Sequence, residues 1–120
     1  MNSPAKILLI DNTADRKERI HALKGRGYTV FPALKMEEAR SRCMRGGYDL
    51  IVVTAGDAPE QALQFCDEIR RQCPKQALLM STRTQAERDY AVAADLPVLL
   101  EAVHQALGHA AGAPDYASAA

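Results

Sequence analysis

Ile7-Leu8-Leu9-Ile10 and Leu50-Ile51-Val52-Val53 are unbroken runs of large aliphatic side chains. A strand with one wet face alternates apolar and polar residues, so continuous runs this short mark strands covered on both faces. Between them the period changes to that of helices. Ile20 and Leu23 share one side of a stretch over 14–26, closed by Gly25 and Gly27. Met36, Ala39 and Cys43 fall on one face of a second over 36–45, which Gly46-Gly47 ends. Ala62, Phe65, Cys66, Ile69 and Cys73 form the stripe of a third over 59–73, with Pro59 in its first turn and Pro74 as its stop. Segments 28–33 and 76–82 read as two further strands, and the second apolar run as a strand over 49–54.

Strands alternating with helices imply right-handed crossovers and a parallel sheet with helices on both faces, a doubly wound α/β fold. In such sheets chemistry gathers at the carboxyl ends of the strands. That singles out Asp11-Asn12, Thr54 and Thr82-Arg83. The remaining third is less regular. Leu96, Leu99, Leu100, Val103 and Leu107 predict an amphipathic helix with Asp95 as its N-cap and Gly108 at its end. Only twelve residues separate Thr82 from Asp95. Thr84-Gln85-Ala86-Glu87 has the form of a capping box, and Asp89-Tyr90-Ala91-Val92-Ala93-Ala94 that of a strand. A parallel crossover normally needs about 10–12 residues, so this region is compressed. The reading taken is a fifth strand over 90–93, the alternative a fourth helix over 84–94 without that strand. Residues 1–108 are read as one domain and 109–120, rich in Ala and Gly, as a flexible tail.

The 120 residues suit a single domain. Fifteen Lys+Arg against fifteen Asp+Glu give a formal net charge of zero, which gives no indication of nucleic-acid or membrane binding. Ten basic and six acidic residues lie in 1–50, five and nine in 51–120, so the first half is basic. Apolar runs of four or five residues are far short of the ~20 a membrane helix needs, and the start of the chain lacks a signal-peptide core. Cytoplasmic location is the expectation. The three cysteines, Cys43, Cys66 and Cys73, form no C-x-x-C pair and read as core-filling thiols.

In order and without a gap through Thr82, these elements resemble a response-regulator receiver domain (CheY-like). Lys6-Ile7-Leu8-Leu9-Ile10-Asp11 resembles the family's first strand and the start of its acidic pair. Gly27-Tyr28-Thr29-Val30 resembles the turn into the second strand, and Gly47-Tyr48-Asp49-Leu50-Ile51-Val52-Val53 the third strand. Residues 65–74 resemble the third helix. The resemblance implies a flavodoxin-like fold and a place in two-component (phosphorelay) signalling. Working receivers phosphorylate an Asp at the end of the third strand. Two acidic residues after the first strand help it hold Mg²⁺, and a Thr or Ser and a Lys grip the phosphoryl oxygens.

Carried over by position, that machinery is degenerate. The acidic pair is Asp11-Asn12, the phosphoacceptor position is Thr54, and the hydroxyl position is kept at Thr82 but followed by Arg83. Tyr90 takes the place of the switch aromatic, and Ala93-Ala94 that of the Lys-Pro pair; no Lys follows Lys75. One carboxylate and one amide form a weak Mg²⁺ site at most, so no cofactor is expected. A Thr hydroxyl is a weak nucleophile without an adjacent base, and the three histidines (His21, His104, His109) lie on predicted helices or in the tail. Arg83 is expected to pair with Asp11 in place of the lost cation. The chain is therefore read as a stand-alone pseudo-receiver, not an enzyme, acting by protein–protein interaction. Its expected partners are a histidine kinase, a phosphotransfer protein, another regulator or a second copy. The competing reading is a module that binds a small anion or nucleotide near Asp11, Thr54, Ala55-Gly56 and Thr82.

Overall fold

The computed structural model describes residues 4–56, 59–82, 90–93 and 95–110. Five strands, β1 (Lys6–Ile10), β2 (Thr29–Ala33), β3 (Leu50–Thr54), β4 (Leu78–Thr82) and β5 (Ala91–Ala93), form one sheet in the order β2-β1-β3-β4-β5. Every pairing is parallel. The four helices are α1 (Arg16–Gly25), α2 (Met36–Arg45), α3 (Pro59–Gln72) and α4 (Leu96–Ala110).

The unbroken apolar runs are explained by the layers. Along β1, Leu8 and Ile10 face one side and Ile7 and Leu9 the other, and all four are buried. Leu8 and Ile10 join Ala39 and Cys43 of α2 and Phe65, Cys66 and Ile69 of α3 in one core. Ile7 and Leu9 join Leu23 of α1 and Leu99 and Val103 of α4 in the other. Both faces of the central strands are dry, so polar side chains are confined to their carboxyl ends, at Thr54 of β3 and Ser81 and Thr82 of β4. Cys43 and Cys66 fill the first core as expected, while Cys73 is half-buried. Gly46 and Gly47 have φ of +74° and +93°, which ends α2 in a conformation that other residues rarely adopt.

Both edges of the sheet carry a local peculiarity. β2 contains Pro32. Thr29 donates its N–H to Ala5 on the β1 side, so by the two-residue alternation position 32 faces outward, where a missing N–H costs no ladder bond. β5 has only three residues, held by Met80 N–H donating to Tyr90 O at 2.8 Å.

The fifth strand is present, which decides between the two readings of the compressed region; it begins at Ala91 rather than at Tyr90. The join from Thr82 to Ala91 spans residues 83–90, below the usual crossover length. The proposed capping box at Thr84–Glu87 and the tail over 111–120 lie outside the described residues. α4 runs two residues past Gly108, the expected stop. Gly108 is not among the glycines with positive φ, so it continues the helix at a modest propensity cost and does not terminate it.

Candidate functional site

The loops after β1, β2 and β3 meet at the carboxyl edge of the sheet and enclose a crevice of about 670 Å³. Its lining includes Asp11, Asn12, Lys35, Glu37, Thr54 and Gln61. Gly56 closes one wall. A Cβ at that position would sit 3.1 Å from Thr13 Cγ2, and its φ of +56° adds a backbone reason for glycine.

Asp11 lies at the floor, its side chain fully buried, and both of its oxygens are engaged. Oδ1 accepts from Thr13 N–H at 2.8 Å and from the Thr13 hydroxyl at 2.7 Å. Oδ2 accepts from Arg19 Nη1 at 2.9 Å, and Nη1 also donates to Thr13 Oγ1 at 2.9 Å. Arg19 is itself buried, with its side chain 8% exposed. A guanidinium projected from α1 thus neutralises the one carboxylate of the acidic pair from inside the protein. The expected cation was Arg83; that residue lies outside the described residues, and the described partner of Asp11 is Arg19.

Arg19 was missed in the sequence because α1 reads as an ordinary charged surface helix. A signal was present: Arg19 lies four residues before buried Leu23 and so shares its inward stripe, one turn nearer the carboxyl edge.

Thr54, which the resemblance sets at the phosphoacceptor position, is buried at the end of β3, in register with Ser81 of β4. Neither the Thr54 nor the Ser81 hydroxyl has a hydrogen-bond partner among the described residues. Among the described residues no base addresses Thr54 Oγ1, so none of them activates it as a nucleophile. Thr82 is buried at the end of β4, in register with Ala93 of β5; Ala94 lies outside the described residues. Tyr90 is buried, with 4% exposure, its hydroxyl donating to Asp67 Oδ1 at 2.5 Å and its ring beneath the Arg70 guanidinium at 5.3 Å. Tyr90 is therefore tied inward to two side chains of α3. Asn12 is exposed at the mouth.

The Mg²⁺ that the resemblance to receiver domains implies does not fit these donors. A hard cation of this kind needs anionic oxygens with free lone pairs. Here the one buried carboxylate among the described residues already accepts three hydrogen bonds, one of them from a guanidinium, its neighbour is an uncharged amide, and position 54 supplies a hydroxyl. Among the described residues no three His, Cys, Asp or Glu side chains cluster as a metal site, and no helix is long and apolar enough to cross a membrane.

The strand order and helix placement are those of the CheY-like receiver fold. The chain is similar to a CheY-like response-regulator receiver domain from Methanospirillum hungatei, at 17% identity and a TM-score of 0.78, over 93% of this chain and 100% of that one. It is similar to the response regulator TrrA from Thermotoga maritima in complex with Mg²⁺-BeF, at 23% identity and a TM-score of 0.71, over 85% and 98%. TrrA in complex with the histidine kinase ThkA matches at 22% identity and a TM-score of 0.70, over 86% and 98%. No family model matches the sequence, and no curated protein matches it.

Proposed function

We propose that the chain is an atypical receiver-type module of two-component signalling that works by phosphorylation-independent protein–protein interaction and catalyses no reaction. The observation that carries this reading is the buried Arg19–Asp11 pair. In a phosphorylatable site the cation arrives with Mg²⁺ and the charge changes when the phosphoryl group arrives. Here the cation is part of the fold, and the acceptor position holds an unactivated hydroxyl. The site is built in one charge state. Tyr90, held inward by Asp67, gives the distal end of the same device one position as well. Partners of the receiver type are supported by the complex of TrrA with a histidine kinase; the exposed sides of α1 and α2 and the outer side of α4, with Met44 and Val98 exposed, are the surfaces offered.

The test is an amide NMR titration with Mg²⁺ and then beryllium fluoride. The expected result is no localised, saturable change at Asp11, Thr54 and Thr82. Saturable shifts at those residues would refute the reading and favour an anion-binding module in the crevice, where Lys35 is the exposed cation.

A further inference from the structure

All three cysteines lie along the seam between α2 and α3. These helices pack on the same face of the sheet, where Cys43 of α2 shares a core with Cys66 and Ile69 of α3. Both run back against a parallel sheet, so they are parallel to each other. Arg40 of α2 sets their relative height: its Nε and Nη2 donate to the Glu68 carboxylate of α3 at 3.0 and 3.1 Å. Cys43 lies three residues beyond Arg40, and Cys73 five beyond Glu68. At about 1.5 Å of rise per residue, the levels of the two cysteines differ by about 3 Å. Cys73 N–H donates to Ile69 O at 2.7 Å, which carries the last turn of α3 through Cys73 and keeps it on the stripe of Cys66 and Ile69.

The electrostatics of Cys43 agree with that placement. Burial pushes its thiol up first, and the next cause is the charge of Cys73, ahead of Arg40 and Glu68. Arg40 is within one turn of Cys43 on the same helix, so a group that outweighs it is a close neighbour. The thiols differ in access. Cys43 is 5% exposed and Cys66 is fully buried, whereas Cys73 is half-buried and sits one residue past the end of α3, followed by Pro74. A reagent from solvent therefore meets Cys73 first. Its place at the helix end lets its Cβ approach that of Cys43 to the ~3.8 Å a disulfide needs, at the cost of one terminal hydrogen bond.

We propose that Cys73 and Cys43 form a dithiol modification site, which a low-molecular-weight disulfide such as glutathione disulfide oxidises to an intramolecular bond clipping α2 to α3. In the first step the Cys73 thiolate attacks one sulfur of the external disulfide. That S–S bond breaks, and one glutathione thiolate leaves and takes up a proton. The mixed disulfide carries no charge on Cys73, so one of the causes that hold the Cys43 thiol up is removed. In the second step Cys43 gives its proton to solvent and attacks the Cys73 sulfur, and the second glutathione thiolate leaves and is protonated. Two electrons pass from the protein thiols to the external disulfide, which becomes two thiols. The bond pins the end of α2 beside Met44, which is 63% exposed. It is independent of the signalling reading above.

The test incubates the reduced full chain with excess glutathione disulfide at about pH 9, which supplies thiolate. Intact mass and tryptic mapping without reductant read the product. The expected product is a monomer lighter by two hydrogen atoms, with peptides 43–45 and 72–75 joined and Cys66 a free thiol. Closing a loop of about 30 residues raises Tm by about 10 °C, and dithiothreitol reverses the change. Cys43→Ala stops at the mixed disulfide on Cys73, and Cys73→Ser takes up no glutathione; circular dichroism verifies that both variants are folded. A parent chain that keeps its glutathione adduct, links through Cys66, only dimerises through Cys73 or stays fully reduced overturns the proposal.

Discussion

Replacing Arg19 by Met keeps most of the buried stem and removes only the charged head. Asp11 then retains two donors from Thr13 but loses its cation, with a side chain that has no exposure to water. Removing one partner of a buried pair costs about 3–5 kcal/mol, because the remaining charge is buried uncompensated. The two surviving hydrogen bonds place the expected loss near the lower end, about 3 kcal/mol. Against a total stability of about 5–15 kcal/mol that is a large fraction, and at about 4 °C per kcal/mol it lowers Tm by about 12 °C. Adding Asp11→Asn in the Arg19→Met background removes the stranded charge and restores most of the loss, so the double-mutant cycle shows coupling of about 2 kcal/mol. The assay is thermal and urea unfolding followed by circular dichroism at neutral pH, repeated at about 1 M salt, where a surface pair would be screened and this one is not. A loss below about 1 kcal/mol with no coupling would show that the pair does not hold the site.

Thr54→Val deletes a buried hydroxyl that has no partner among the described residues and is expected to leave stability unchanged or raise it by up to about 1 kcal/mol; a Tm that falls by several degrees shows that the hydroxyl is hydrogen-bonded. Tyr90→Phe removes the donor to Asp67 and is expected to cost about 1 kcal/mol, discounted because Asp67 is only half-buried, read from the same melts. Burial pushes the Cys43 thiol up to about 11 and the Cys66 thiol to about 12, from 9.0. These thiols stay protonated in the folded state after the unfolded ones have ionised. Their contribution is therefore intact below pH 9 and is lost as pH rises from there through 11 and 12, so unfolding midpoints should fall over that range and recover in Cys43→Ala/Cys66→Ala. At mildly alkaline pH, iodoacetamide should label half-buried Cys73 and leave the two buried thiols unmodified.

The fold was legible because its elements announce themselves locally. β1 covers the expected Lys6–Ile10, and β3, β4, α2 and α3 match the sequence reading to within two residues. Where strands are buried on both faces the hydrophobic run is the signal, and it has sharp ends. The region after Thr82 was ambiguous because a three-residue strand is too short to show a period. Gly108 misled because a glycine ends a helix only where the chain takes a left-handed turn, and its sequence neighbourhood does not reveal that. The crevice was legible in the positions that line it (Asp11, Asn12 and Thr54), which follow or end recognisable strands. The buried cation was not. Arg19 acts across eight residues of sequence from the helix side, and a cation on a charged helix looks the same whether it faces water or an Asp.

The two blunted sheet edges bear on a different hazard. A strand edge with free N–H and C=O groups is a template on which another chain can add, and repeated addition leads to amyloid-like aggregation. Pro32 removes a donor from the outer side of β2, and β5 offers only three residues to copy. Strand addition is discouraged on both flanks, so other molecules can meet this one through its helical layers and loop-bearing ends while each sheet stays intact.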